Sequence, residues 1–167
     1  MRIGFGYDSH VFEAGKTLRL GGVAIPGVDG LKAHSDGDVL AHALIDAMFG
    51  AVAMGDIGSH FPDTNEKWRG ADSMELLAAA AKELEAAGWK VGNADITVVC
   101  EKPRLRPHVE AIVSSLASRI GCGTGDISVK GKTNEKMDDI GSGKGIAAYA
   151  AVLVQRISRR ENGQDIM

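Results

Sequence analysis

The hydrophobic positions change period several times along the chain, and the changes mark its elements. Ile3, Phe5 and Tyr7 alternate with smaller or charged neighbours, which predicts a short strand over residues 1–8, and Leu18-Arg19-Leu20 ahead of Gly21-Gly22 predicts another over 17–23. From about Asp36 to Ala53 the period lengthens: Leu40, Leu44, Ala47, Met48 and Ala51 recur at helical spacing, with Asp36 as the N-cap. Residues 55–71 hold too many breakers for regular structure and predict a long polar loop, a kind of segment that often carries function. A second helix is expected from Asp72, which with Glu75 resembles a capping box, through an alanine-rich stretch to Gly88. Asn93 to Cys100 reads as a strand, and Pro103 and Pro107 bound the loop after it. Pro107 opens a third helix whose apolar face is Ile112, Val113, Leu116 and Ile120 and which Gly121 ends. Two strands follow, from Ile127 to about Lys132 and from Ile146 to Ile157, and residues 158–167 read as a polar tail. Without a regular βαβαβ repeat, this order predicts an α+β fold: one compact domain over 1–157, a mixed β-sheet covered by helices.

Composition adds limits to that picture. A chain of 167 residues is long enough for a single core, but with 22 glycines and 5% aromatic residues it has few bulky anchors, so self-association can complete the core. The two cysteines, Cys100 and Cys122, lie far apart and show no C-x-x-C spacing, which argues for reduced thiols. A net charge of −3 gives no general attraction to nucleic acid or to an acidic membrane, so any phosphate site must be local. The N-terminal residues reach Asp8 before a signal core forms, and no apolar run is long enough for a membrane span; a soluble, cytoplasmic protein is expected.

Three segments concentrate chemistry. Asp8 and His10, two apart in a strand, present side chains to one side, and His42 on the first helix can add a third ligand; one carboxylate and two imidazoles suit an open zinc site. A capping aspartate and two surface histidines is the alternative. His42 shares a helix face with Asp38 and Asp46, either of which can orient the imidazole. Next, Glu101-Lys102-Pro103-Arg104-Leu105-Arg106 gathers three cations that can hold phosphate or simply lie in solvent. Finally, Lys132-Thr133-Asn134-Glu135 leaves a strand with ammonium, hydroxyl, amide and carboxylate together, either as a site in which Glu135 binds a hard divalent ion or as a plain turn. Asp56 between glycines can accept from sugar hydroxyls or stabilise its turn. Gly4-x-Gly6 and Gly141-x-Gly143-x-Gly145 lack the setting of dinucleotide fingerprints and read as backbone permissiveness; Met48 and Met54 read as core, His60 and His108 as loop or helix-start residues.

Together, Asp8-x-His10, His34-Ser35-Asp36-Gly37-Asp38 with His42, Gly55-Asp56-Ile57-Gly58, Phe61-Pro62-Asp63-Thr64, Gly70-Ala71-Asp72-Ser73, Lys102 to His108, Lys132 to Glu135 and Gly145-Ile146-Ala147 resemble the 2-C-methyl-D-erythritol 2,4-cyclodiphosphate synthase family of the non-mevalonate isoprenoid pathway. The similarity runs along nearly the whole chain up to the tail. It implies a homotrimer with sites between subunits, and a cytidine diphosphate ester of methylerythritol whose 2-phosphate attacks the β-phosphorus, expelling CMP. Carried onto this chain, the resemblance implies zinc or another divalent transition metal on Asp8, His10 and His42, and magnesium or manganese on Glu135. His34 and Thr133 would be catalytic donors. The methylerythritol phosphate would lie among Asp8, Ser9, His10, His34, Ser35, Asp56, Ile57, Gly58, Phe61, Pro62, Asp63, Thr64 and Asn65. The cytidine diphosphate would be held by Cys100, Glu101, Lys102, Pro103, Arg104, Leu105 and Arg106 with Lys132, Thr133, Asn134 and Glu135 of an adjacent subunit.

Two departures stand out. Where the family often has a Gly-Phe pair and a later Arg beside an axial channel, this chain has Asp138-Asp139 and Ser142, then Lys144; weak binding of an isoprenoid diphosphate there is expected. A metal-dependent phosphohydrolase and a nucleotide-binding module with structural zinc are the competing functional readings.

Overall fold

The chain folds, in a computed structural model that describes residues 1–68 and 70–158, as β1 (Arg2–Leu20), β2 (Val23–Leu31), α1 (Val39–Ala51), α2 (Ile57–His60), α3 (Ser73–Ala86), β3 (Trp89–Val99), α4 (Val109–Ile120), β4 (Ile127–Lys132), α5 (Asp138–Gly141) and β5 (Gly145–Arg156). Short 3₁₀ turns occupy Glu66–Trp68, Arg106–His108 and Thr124–Asp126. The strands form a five-stranded sheet in the order β2-β1-β5-β3-β4, in which only the β3–β4 pair is parallel. The expected α+β architecture is present. Of the predicted tail, Ser158 alone lies within the described residues. Among the described residues no helix is long and apolar enough to cross a membrane.

β1 runs much further than residues 1–8. Its first half pairs with β5 and its second half with β2, and the hairpin closes through Gly21 and Gly22, both at positive φ as a two-residue turn of matching twist requires. The helices cover one face of the sheet: α1 lies on β1 and β5, α3 packs beside α1, and α4 packs on α3 and β4. α1 is buried nearly all round, from Val39 to Phe49, because the sheet closes it on one side and α3 on the other. Its apolar surface is therefore wider than the single stripe that its periodicity predicts.

Gly4 and Gly6 do more than permit backbone freedom. A Cβ at Gly4 would lie 1.8 Å from the Ala47 carbonyl oxygen, and one at Gly6 would lie 2.0 Å from that of Ala43. The helix backbone therefore rests directly on the strand, and any side chain there would push it away. The strand's alternation follows: Gly4, Gly6, Asp8 and His10 face the helices, while Ile3, Phe5 and Tyr7 face outward and remain 77%, 66% and 46% exposed. Gly141 and Gly145 are also close approaches, against Lys136 and the His10 carbonyl.

The N-cap of α1 is Asp38, not Asp36. Asp38 is fully buried; its carboxylate accepts from the amides of Ala41 at 3.1 Å, Gly21 at 2.9 Å and Gly22 at 2.7 Å, so one side chain caps the helix and ties it to the hairpin turn. Burial pushes its carboxyl up, opposed by these three donors. Asp72 caps α3 as expected, accepting from Met74 N, whereas Glu75 reaches Arg119 on α4 instead of completing a capping box. Pro107 sits in the 3₁₀ turn and α4 starts at Val109. The 55–71 segment is not wholly irregular: Asp56 caps the short α2, and His60 at its end stacks on Phe49 at 3.9 Å while bridging Met54 O and Glu83.

The α1–β1 contact makes a direct prediction. Gly6→Ala should destabilise the protein by at least about 3 kcal/mol, the upper range for an overpacked core, because the clash is with backbone that no rotamer change relieves. Gly125→Ala, with nothing within 4 Å of the added Cβ, should stay within about 0.5 kcal/mol of the parent. Urea unfolding at matched protein concentration measures both; equal stabilities would contradict the contact.

Candidate active site

Asp8 and His10 follow Gly4 and Gly6 on the same face of β1, so the strand delivers them to the side where α1 lies. α1 supplies His42. Asp8 Oδ2 is 3.0 Å from His10 Nε2 and 2.9 Å from His42 Nδ1, and the two ring nitrogens are 3.4 Å apart. One ligand atom from each residue lies within 4.8 Å of the others, in a partly buried cluster. Burial alone would raise the Asp8 carboxyl, but hydrogen bonding to His10 and His42 outweighs it and holds the group well below the usual carboxylate range. Burial pulls the His42 imidazole down, yet the Asp8 carboxylate beside it leaves it raised overall. Two imidazoles and a carboxylate converging with open space beside them are a donor set that fits a divalent transition ion with a free coordination position.

The expected partners of His42 are engaged elsewhere. Asp38 holds the three amides described above, and Asp46 accepts from Ile57 N at 2.7 Å, which anchors the start of α2. His42 Nε2 instead meets Ser73 Oγ at 2.8 Å and Ser35 Oγ at 3.2 Å, and Ser73 Oγ in turn donates to Asp36 Oδ1. Sequence reasoning misses Ser73 and Asp36 as a pair, since they lie on a helix start and a loop far apart in the chain. Each falls in a motif of the resemblance, His34 to Asp38 and Gly70 to Ser73, but neither motif marks the contact between them.

Beyond the triad opens a cavity of about 530 Å³, lined by His10, His34, Ser35, His42, Ile57, Gly58, Phe61, Pro62, Asp63 and Thr64 among others. Most of the residues predicted for the methylerythritol side are thus together. Trp68, which no sequence motif marks, also lines it and packs edge-on against Phe61 at 5.2 Å. Asp8, Ser9, Asp56 and Asn65 are outside this lining. Asp56 Oδ1 accepts from Ser59 N at 2.8 Å and Ser59 Oγ at 2.7 Å, the turn-stabilising use of that residue, and the Ser59 hydroxyl lowers its carboxyl. Ser9 lies on the exposed face of β1.

A second cavity, of about 720 Å³, is walled by Cys100, Glu101, Pro103, Arg104, Leu105, Arg106 and the β4 end from Val129 to Thr133. Lys102 lines a separate hollow with Phe12 and Lys136. Burial pushes the Cys100 thiol up to about 11, so it is a neutral wall group at physiological pH. The Thr133 hydroxyl donates to the Glu135 carboxylate at 2.8 Å, and Asn134 N donates to Glu101 at 3.0 Å, joining the two loops that frame the cavity. Glu135, Lys136 and Asp138 all sit at positive φ without being glycine, a concentration of strained backbone in one turn. Further on, Asp138 stabilises α5 by accepting from Ile140 N, and Asp139 pairs with Lys144 at 2.8 Å.

The strand register relates the two cavities. Asp8 pairs with Ala148, Ala148 with Val98, and Val98 with Gly131, so the triad and the β4 end lie in one row across the sheet. They are three strand spacings apart, about 14 Å. Ala148 and Val98 between them are fully buried.

The sequence model of the YgbB family matches residues 1–155. The chain is 53% identical over 155 residues to the 2-C-methyl-D-erythritol 2,4-cyclodiphosphate synthase of Alcanivorax borkumensis, covering 93% of this chain and 97% of that protein. It is 51% identical over 158 residues to the synthase of the same name from Cupriavidus necator, covering 95% and 94%. A solved structure of 2C-methyl-D-erythritol-2,4-cyclodiphosphate synthase in its CDP-bound form is similar with a TM-score of 0.85 and 40% identity, over 92% of this chain and 100% of that one. The bifunctional IspDF from Campylobacter jejuni is similar with a TM-score of 0.91 and 41% identity; the likeness covers 94% of this chain but 42% of that longer one. The chain belongs to the YgbB family.

Proposed function

We propose that the chain converts 4-diphosphocytidyl-2-C-methyl-D-erythritol 2-phosphate into 2-C-methyl-D-erythritol 2,4-cyclodiphosphate and CMP. The observation that carries this reading is the pair of cavities at one level of the sheet, one beside an open triad of ligands and one framed by cations and a hydroxyl-bearing turn. An oxygen of the 2-phosphate attacks the β-phosphorus, a new P–O bond closes the ring, and the bond from the β-phosphorus to the bridging oxygen breaks, so that oxygen leaves on CMP. No water enters.

Such a transfer asks the protein for alignment and for neutralisation of spread negative charge. Asp8, His10 and His42 would hold zinc or another divalent transition ion, and Glu135 magnesium or manganese; when bound, these ions supply Lewis-acid neutralisation of phosphate oxygens. Arg104, Arg106 and Lys132 line the second cavity with positive charge suited to a diphosphate. His34, exposed at the rim of the first cavity, and Thr133, at the mouth of the second, would be the donors to the reacting phosphates. Phe61 and Trp68 shape the apolar side of the methylerythritol pocket. A related synthase structure binds CDP, and the cavity walled by residues 103–106 and 129–133 is the part of this chain we assign to the nucleotide.

Buried core fills the direct row between the two cavities within one chain, which supports reading them as parts of one site completed where two subunits meet. The outward face of β1 and β5 supplies a reason to meet. Ile3, Phe5, Tyr7 and Tyr149 form an exposed apolar patch whose rings already contact each other, Tyr7 to Tyr149 at 5.0 Å. A homotrimer closed through this face would bury it and set each first cavity beside a neighbour's second.

Phosphorus NMR of the protein with zinc, magnesium and the phosphorylated substrate should give CMP and cyclic diphosphate in equal amounts; inorganic phosphate would instead establish a hydrolase. His42→Ala should lose stoichiometric zinc in metal analysis and at least about 10²-fold in turnover, the order expected for one lost electrostatic stabiliser, with its sedimentation unchanged. Cys100 should resist alkylation at neutral pH. With its thiol pushed up to about 11, the thiolate fraction falls about tenfold per pH unit below that value, so its iodoacetamide rate should climb steadily through the alkaline range. CDP should slow it at every pH. Rapid modification at pH 7 with no CDP protection would remove Cys100 from the nucleotide cavity.

A further inference from the structure

A metal-binding imidazole works only if the correct ring nitrogen carries the lone pair, and the group on the other nitrogen decides which one does. In this chain His42 turns Nδ1 to Asp8 and His10, and Nε2 to the Ser73 hydroxyl at 2.8 Å. A hydroxyl alone leaves the choice open, because it donates or accepts equally well. Asp36 removes that freedom. Its carboxylate can only accept, and its Oδ1 takes the Ser73 hydrogen in a short contact, so the oxygen of Ser73 is left to accept from His42. Nε2 must then carry a hydrogen, so when a cation takes the place of the Nδ1 proton that Asp8 accepts, Nδ1 is the nitrogen left with the lone pair.

We propose that Asp36 and Ser73 form a positioning relay that fixes the Nε2–H tautomer of His42 and so prepares Nδ1 as a metal ligand. The relay rests on the reading of Asp8, His10 and His42 as a metal site. Ser73 suits the task better than Ser35, the other hydroxyl near Nε2. Ser73 is fully buried at the first position of a helix whose N-cap is itself hydrogen-bonded, whereas Ser35 lies on a loop, is further from Nε2 at 3.2 Å, and already accepts from Gly37 N.

The same hydroxyl connects the metal side to the substrate side. Asp36 and Ser35 follow His34 on the segment that lines the first cavity, so Ser73 touches both the ligand and the loop of a proposed catalytic donor. That segment does not depend on Ser73 for its place. Asp36 N donates to Ala71 O at 3.1 Å and Gly70 N donates to His34 O at 2.9 Å, so backbone bonds join the two segments independently. Removing the hydroxyl should therefore disturb the tautomer and leave the fold.

The test uses zinc titration against a chromogenic chelator together with two-bond ¹H–¹⁵N correlation spectra of the histidine rings, which report the protonated nitrogen of each. Wild type should bind zinc with His42 protonated on Nε2. Ser73→Ala should weaken zinc binding by about 10- to 100-fold, the range for lost outer partners of a ligand, and metal-free His42, left with the Asp8 carboxylate as its acceptor, should move toward the Nδ1–H form at alkaline pH. Asp36→Asn keeps a side chain of the same shape but can donate to Ser73, freeing the hydroxyl hydrogen to turn toward Nε2; its spectra should shift in the same direction. No zinc binding by the wild type would refute the metal site itself. Wild-type binding with unchanged affinity in Ser73→Ala, or weaker affinity with the Nε2–H tautomer retained, would overturn the relay.

Discussion

The geometry of the site depends on the direct seating of α1 on β1. Backbone meets backbone at Gly4 and Gly6, and the two residues that follow on the same face of the strand are Asp8 and His10. Because the strand repeats every two residues and the helix advances along it, the closeness at the glycines carries forward to His42 and sets its ring beside Asp8 at 2.9 Å. Larger residues at 4 and 6 would lift the helix and open the triad. Asp38 holds the other degree of freedom, since its bonds to the hairpin amides fix where the helix begins and so which turn of it faces the strand.

The same alternation explains the exposed apolar patch. With glycines turned inward, the large residues of β1 are turned outward, and the strand has an apolar face on the side away from its own helices. In a chain with few aromatics this is an unfavourable place to leave them, and the proposed burial against another copy of the chain would recover them. The row of paired residues from Asp8 to Gly131 would give that proposed assembly a functional meaning. It holds the two cavities level and separates them by buried core, a division that two subunits would bridge.

Much of this arrangement is legible in the order of the amino acids. Elements with a clear period, such as α3, α4, β4 and β5, are found close to where their patterns place them, and the triad, which spacing leaves open beside a cap and two surface histidines and which the resemblance favours, is brought together. The misreadings share a cause. Period analysis sees residues that point into a core and is blind to a core made by backbone contact, which is why Gly4 and Gly6 read as loose and β1 as short. Asp36 stands in for Asp38 as the cap because either can precede the apolar repeat of α1; only the hairpin amides, 16 and 17 residues back, choose between them. The role of a hydroxyl partner such as Ser73 is not legible even inside its motif, since a serine looks alike at a helix start whether it faces solvent or an imidazole.

The division of labour between those two aspartates shows how one short segment serves two ends. Asp38 is placed where donors converge from the helix and the hairpin, so its charge is used in holding structure. Asp36, two residues earlier, meets the Ser73 hydroxyl and passes its polarity outward to His42. Had both carboxylates faced the imidazole, the ring would be held by charge and favour its protonated form, which a metal would then have to displace. A carboxylate acting through a hydroxyl orders the hydrogens with less direct charge on the ring, and that leaves Asp8 as the carboxylate in contact with the imidazole.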